Sequence, residues 1–434
     1  MNIPGHGEQI ITWMVLFFVL YSVVTDKVRY DLAAFAGVLI LGLLKISPPG
    51  ELFSGFSDTS VFVVAAVMVL SAGIVESGIL NGLGRRIADK VNCPKRQIFA
   101  LSMVTGAISA FMNNVGAIGL MLPTAKRMAA RAGVHKATFG LPMVYATILG
   151  GSVTLIGCSP NIIISTFRYQ AFGQPFKLFD FTAHGLAMLG SAVILWYVFQ
   201  LFGYSPLDQR CVQGCNLKHG ELAEAYEPKV DVPTGERDFR KSMIVLATFI
   251  PMVLLAGLGL VHSSVGFGFA AVVFILLGVV SRETAYRELK IPTLVFLGSM
   301  ISIATILEKT GALALLIDPI AGFTEDLPHL LAILVFVFFS AFLANILDNS
   351  VAAVLMSPTA ILLANSPLVS VSPEALLMAV SAGSSLGVIL PTEQTTVVAM
   401  AETDFSAKRF AQQGVIIALT AGTIAAVVIN RVWA

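Results

Sequence analysis

The sequence predicts an all-α polytopic membrane protein built as two inverted-topology repeats, each of about five transmembrane helices, one of them broken, plus a re-entrant hairpin. Three observations carry this expectation. Apolar runs of spanning length recur along the chain; two apolar stretches fit neither one span nor two; and a segment of the first half reappears in the second.

Of 434 residues, 56% are hydrophobic and 12% are charged, where a soluble domain carries roughly a quarter charged residues. The deficit extends over the whole chain, so the apolar runs are not one anchor on a soluble body. A net charge of +1 gives no reason to expect a nucleic-acid partner. Neither H-E-x-x-H nor G-x-S-x-G occurs, and with no other catalytic constellation an enzyme is not expected. The first nine residues hold no Lys or Arg before the apolar run, unlike a secretory signal.

Residues 10–24, 31–44 and 60–80 read as three spans. The basic stretch Arg85, Arg86, Lys90, Lys95 and Arg96 follows and is cytoplasmic by the positive-inside rule, so the N-terminus is extracytoplasmic. The next apolar stretch, residues 97–125, has 29 residues and basic flanks on both sides. One straight span is shorter, and two need roughly 40 residues. A hairpin that enters from the cytoplasm and turns at Met112-Asn113-Asn114 solves this, because non-helical backbone at depth is tolerated where it is buried in protein or lines a cavity. Residues 140–167 read as a helix broken at Gly157-Cys158-Ser159-Pro160-Asn161, where Pro160 interrupts the hydrogen-bond ladder. Residues 182–202 return the chain to the cytoplasm, with His184, like His262 later, read as an interface residue.

Residues 1–202 thus form a first repeat, 203–242 a polar cytoplasmic linker too short for an inserted regulatory domain, and 243–434 a second repeat. There the pattern recurs: spans at 243–260, 264–280 and 292–307, then a hairpin at 330–364 entering from the acidic, extracytoplasmic side. A second broken helix follows at 376–401, interrupted at Leu390-Pro391-Thr392-Glu393-Gln394-Thr395-Thr396, and then the last span, leaving the C-terminus extracytoplasmic. Aligning 111–125 (FMNNVGAIGLMLPTA) with 346–360 (ILDNSVAAVLMSPTA) gives seven identities in fifteen without a gap, Asn114/Asn349 and Pro-Thr-Ala among them. Chance composition explains matched Ala and Leu but not these.

Each hairpin turn sets the N-terminus of a second arm, which favours anions, beside the C-terminus of a first arm, whose carbonyls suit Na+. Polar turns also cap helices, but capping alone poorly explains two turns in register with two broken helices. Asp348 is the one acid in the second hairpin, either strengthening a Na+ site or carrying a proton. Glu393 lies in the second break and either belongs to the site or reaches the surface.

On these motifs the chain resembles the divalent-anion:sodium symporter family of the ion-transporter superfamily. That family's Ser-Asn-Thr tips read Asn113-Asn114-Val115 and Asp348-Asn349-Ser350 here. Its Gly-Thr/Ser-Pro-Pro-Asn motif reads Gly157-Cys158-Ser159-Pro160-Asn161, and its second break reads Pro391…Gln394-Thr395-Thr396. Val115 lacks the family's hydroxyl and Asp348 adds a charge. The resemblance implies Na+-coupled uptake of a small divalent anion by an elevator-type motion in a homodimer within the inner membrane. Carried over, Ser109, Asn113, Asn114 and Gly157 frame one Na+ site, and Asp348, Asn349 and the backbone near Pro391 frame the other. The anion then meets Asn114, Val115, Ser159, Pro160, Asn161, Asn349, Ser350, Thr392, Gln394, Thr395 and Thr396. The expected function is Na+-coupled symport of a sulfate-like oxyanion or a C4-type dicarboxylate, with H+ as the other possible coupling ion. A Na+/H+ antiporter of the same superfamily is the alternative, ahead of an anion channel or an intramembrane enzyme.

Overall fold

A computed structural model describes residues 6–25, 28–79, 93–201, 238–312, 328–364 and 371–434. Most of the first basic cytoplasmic stretch, nearly all of the linker, and the acidic residues Glu325 and Asp326 lie outside the described residues. Those described are helical, with no strand among them.

The first half runs α1 (His6–Thr25), α2 (Tyr30–Leu43), α3 (Thr59–Glu76), α4 (Pro94–Ser109), α5 (Asn114–Arg131), α6 (Ala137–Gly151), α7 (Ser159–Phe172) and α8 (Thr182–Leu201). The second repeats that order: α9 (Phe239–Gly257), α10 (Ser263–Leu276), α11 (Ile291–Lys309), α12 (His329–Ile346), α13 (Asn349–Ala364), α14 (Pro373–Ser384), α15 (Gln394–Thr403) and α16 (Ala407–Val432). Apart from short helices at Pro49–Leu52, Ser54–Ser57 and Arg282–Glu288, three helices, a hairpin, a broken helix and a final helix therefore occur twice among the described residues. Among the described residues six helices are long and apolar enough to cross a bilayer, and shorter apolar helices include α2, α6, α10 and α13. Large apolar side chains stand exposed along them, Met14 and Phe17 on α1 and Val265, Phe269, Val272 and Leu276 on α10. Such a surface suits hydrocarbon rather than water.

Helix boundaries refine the expectation at both breaks. Ser159, Pro160 and Asn161 form the first turn of α7 instead of the interruption, which covers residues 152–158. A proline in a first turn removes an N–H that had no intrahelical partner, so Pro160 starts a helix rather than breaking one. Likewise the second break covers 385–393, and Gln394, Thr395 and Thr396 open α15. The first hairpin's second arm runs on to Arg131, beyond the expected residue 125.

The halves interlock. In each, the first hairpin arm packs on the first half of its own broken helix: α4 on α6 and α12 on α14. The second arm of each hairpin packs on the far half of the other repeat's broken helix, α5 on α15 and α13 on α7, while α8 packs on α16. Tyr145 on α6 stacks on Phe410 of α16, rings 5.0 Å apart, and its hydroxyl donates to the Phe410 carbonyl at 2.6 Å. Lys126 pairs with Glu402, Lys136 with Asp404 at 2.7 Å, and Arg168 with Glu374 at 3.3 Å. The remaining helices, α1–α3 and α9–α11, pack mainly on one another: α2 on α11, α3 on α10. The Ser242 hydroxyl donates to the Ser77 carbonyl at 3.0 Å, and the Ser302 hydroxyl accepts from the Gly55 N–H at 3.1 Å.

Close backbone contact fixes the hairpin against its broken helix. A Cβ on Gly150 would stand 2.6 Å from Gly106 Cα, backbone against backbone. Gly150→Ala is therefore expected to lower stability by about 1–3 kcal/mol through overpacking. Gly268→Ala, on α10 with open space around it, is expected to raise it by up to about 1 kcal/mol. Thermal unfolding of the purified protein in detergent checks both signs.

Candidate functional site

Each hairpin tip begins with a cap. The first arm ends at Ser109, and the Asn113 side-chain oxygen accepts from the Val115 N–H at 2.9 Å, satisfying one of the donors a helix start leaves unpaired. The Asp348 carboxylate does the same for the Ser350 N–H at 2.8 Å. Asn113 and Asp348 are thus equivalent N-caps, and Val115 and Ser350 contribute backbone N–H groups to them. The next residue in each tip, Asn114 and Asn349, is left to turn its amide inward.

The two breaks expose backbone groups that side chains then satisfy. The buried Asn161 donates to the carbonyls of Ser152 at 3.2 Å and Thr154 at 2.9 Å, and its oxygen accepts from the Ser381 hydroxyl at 2.7 Å. The Thr154 hydroxyl donates to the Ala110 carbonyl at the first tip. In the second half Asn345, on the hairpin, donates to the Leu386 carbonyl at 2.9 Å and accepts from the N–H groups of Ile389 at 2.8 Å and Leu390 at 3.2 Å. His184, expected as an interface residue, is 1% exposed and lies 3.4 Å from the Ser381 hydroxyl of the other half, while its Nδ1 has no partner among the described residues.

Glu393 is where the two repeats meet. Asn114 Nδ2 donates to Glu393 Oε1 at 2.9 Å, Asn349 Nδ2 donates to Oε2 at 3.4 Å, and the Thr395 hydroxyl donates to Oε1 at 3.1 Å. The amide orientation of Asn114 is set by the Ser109 hydroxyl, which donates to its Oδ1 at 2.7 Å. Glycines make room: a Cβ on Gly151 would stand 2.6 Å from Asn114 Oδ1, and one on Gly387 would collide with Asn349 Oδ1. Asn114 and Asn349 begin α5 and α13, and Glu393 caps α15. The first residues of α5 and α13 and the start of α15 therefore meet at one carboxylate, and helix starts favour negative charge. Among the described residues no cationic side chain forms an ion pair with Glu393.

The other expected site residues divide. Ser109, Asn114, Asn349 and Thr395 join this centre, and Asn113 and Asp348 cap its edges, Asp348 exposed. Gly157 lies against the first tip: a Cβ there would be 2.9 Å from each of the Ser109 and Ala110 carbonyl oxygens. Gln394 turns away, accepting from Lys290 Nζ at 3.2 Å. Thr392 is exposed, Pro391 and Ser159 are half-buried, and Pro160 is buried in the first turn of α7. Thr396 is buried with its hydroxyl unpartnered, and Asn161 supports the break rather than facing the centre. Glu393 itself stood open on sequence alone. A signal for it exists: the offset relating Asn114 to Asn349 also relates Cys158, which caps α7, to Glu393, which caps α15.

With that geometry in view, relatives can be compared. Residues 20–383 match the family model for citrate transporters. An uncharacterised transporter of Synechocystis is 31% identical over 50% of this chain and 35% of its own length. Sodium/sulfate cotransporter 1 of Chlamydomonas reinhardtii is 26% identical over 33% of this chain and 17% of its own. The chain thus spans about a third or less of the length of these relatives. The solved YdaH transporter of Alcanivorax borkumensis aligns over 98% of both chains with a TM-score of 0.59 at 15% identity, a likeness of fold. The expected kinship with sodium-coupled anion carriers holds, and so does the expectation of a transporter rather than an enzyme. Since the matched region takes in both hairpins, the whole first break and Asn114 and Asn349 alike, this multi-pass membrane protein belongs to the citrate transporter family.

Proposed function

We propose that the protein is a secondary active symporter, carrying a small divalent anion with Na+ across the inner membrane. The observation that carries this reading is the convergence of Asn114 and Asn349, from opposite repeats, on a single carboxylate at 2.9 and 3.4 Å. Donors that hold the Glu393 carboxylate are suited to a substrate carboxylate or sulfate oxygen. The family's citrate and the sulfate of the Chlamydomonas relative are anions of that chemistry.

Na+ takes oxygen ligands, and carbonyls at the C-terminal ends of interrupted helices suit it. The carbonyls of Ser109, Ala110 and Gly151 crowd the Cα face of Gly157, where any side chain would intrude. Around the second tip, Asp348, Asn349 and the backbone near Pro391 are the counterpart. The acid at the centre, Glu393, with Asp348 at its edge, favours a second reading, Na+/H+ antiport. The interlocked α4–α8 and α12–α16 suit an elevator body moving against α1–α3 and α9–α11, within a homodimer. A cavity of about 360 Å³, lined by Glu51, Lys309, Gln170 and Pro358 among others, runs between those two groups. Each group takes helices from both proposed repeats, 1–202 and 243–434, which a cytoplasmic linker joins.

Uptake of labelled citrate and sulfate into proteoliposomes tests the reading. A requirement for an inward Na+ gradient supports symport, whereas Na+-driven alkalinisation of vesicles without either anion overturns it in favour of antiport. Asn114→Ala and Asn349→Ala are each expected to weaken anion binding about ten- to a hundredfold, from the roughly 1.5–3 kcal/mol of one charge-assisted hydrogen bond. Folding should be retained in both, and wild-type uptake by either would reduce these asparagines to caps. In a cysteine-free background, single cysteines at Lys126 and His329 should react with an impermeant reagent from opposite faces. Reaction of both from one face would overturn the assigned sidedness.

A further inference from the structure

The seat that the proposed function gives to the transported anion is taken by the protein's own carboxylate. Among the described residues, the three hydrogen bonds reaching Glu393 are donated to it, two by tip amides of opposite repeats and one by Thr395. An ionised carboxylate accepts only, so this is the pattern an oxyanion or carboxylate substrate would draw from the same groups. No cationic side chain among the described residues pairs with Glu393, and the polarisation of the seat comes from helix starts, two amides and the Thr395 hydroxyl. Were it empty, the Asn114 donor, on a residue 9% exposed, would be left without its partner, a cost that buried polar groups avoid.

Glu393 is placed to enter and leave. It is the N-cap of α15, in extended backbone (φ −73°, ψ 138°), with half-buried Pro391 and exposed Thr392 before it and exposed Gln394 after it. Its own N-cap role is not filled by its side chain, which makes no bond to the α15 backbone. Its tie to the helix it starts is the Thr395 hydroxyl, with no bond to a backbone N–H. In the first repeat the equivalent N-cap is Cys158, which carries no acid. One seat has one tethered carboxylate.

Resting on the reading of this centre as an anion seat, we infer that Glu393 is a tethered stand-in for the transported anion: it bridges Asn114 and Asn349 when no anion is bound, and an arriving anion displaces it. Two properties follow. Anion affinity is what remains after Glu393 has been displaced, so removing the acid strengthens binding. And the unloaded carrier, with both hairpins latched as a substrate would latch them, can complete its return step without cargo, giving net uptake rather than exchange alone.

The full-length protein carrying Glu393→Gln, with citrate and sulfate as probes at saturating Na+, tests this. Binding measured calorimetrically in detergent is expected to tighten about tenfold for the probe that wild type transports. Exchange between loaded vesicles is expected to persist, and net uptake into anion-free vesicles to fall about tenfold. Looser binding by the folded variant, or equal loss of exchange and net uptake, would overturn the inference and leave symport standing, with Glu393 as a ligand of the coupling cation. Wild type that carries neither probe under a Na+ gradient would overturn the symport reading and this inference with it. Should Glu393→Gln fail to fold, Glu393→Ala keeps the question open to measurement. Formate, a free carboxylate, is expected to raise its melting temperature well beyond any effect on wild type, and no such rescue would overturn the proposal.

Discussion

Backbone that leaves the helix inside an apolar slab must find new hydrogen-bond partners, and this structure is organised around that demand. Two hairpin turns and two breaks suspend the i to i−4 ladder near the middle of the molecule. Nothing in hydrocarbon can satisfy the freed groups, so short polar side chains do. Asn113 and Asp348 take up the helix starts, Asn161 the carbonyls of the first break, Asn345 both polarities of the second, and Thr154 the end of the first arm. Those of Thr154 and Asn345 cross from hairpin to broken helix within each half. Those of Ser381 to Asn161 and of Asn114 to Glu393 cross between halves. Satisfying the backbone is thus the same act as docking the two repeats, and the centre they enclose is polar as a result.

The glycines belong to the same constraint. Gly106 and Gly150 let the first arm lie directly on the broken helix, and Gly151 and Gly387 leave room beneath the two inward amides. Helix packing in a bilayer gains little from apolar burial, so close approach through small residues supplies much of the association. Here the approach also sets the geometry of the centre, because the amides of Asn114 and Asn349 are held where a Cβ would have stood.

Much of this was legible in the sequence. An apolar stretch between one span and two in length, with like flanks, marked the first hairpin, and Met112-Asn113-Asn114 marked its tip within a residue or two. The matched segments at 111–125 and 346–360 marked the second. The breaks were legible only approximately. Pro160 was read as an interruption, yet its missing N–H is harmless in the first turn of α7, so the interruption precedes it. Glu393 was undecided because the depth of a break is set by tertiary packing, which periodicity does not encode. Nor does sequence distance suggest that Asn161 would meet Ser381, or that Gln394 would turn to Lys290 while its neighbour turned to the tips. The offset shared by Cys158 and Glu393 was available, and it needed only the tips' register to be extended to the breaks.

That offset has one more consequence. In a carrier made of two identical inverted repeats, exchanging the conformations of the halves would turn the form open to one compartment into the form open to the other, at equal free energy. The halves here are not identical: Glu393 caps α15 where Cys158 caps α7, so the acid belongs to one half. On the proposed alternation of the halves, the two resting orientations of the unloaded molecule would be unequally populated, and differences between the halves, Glu393 against Cys158 among them, would set the side on which empty carriers wait.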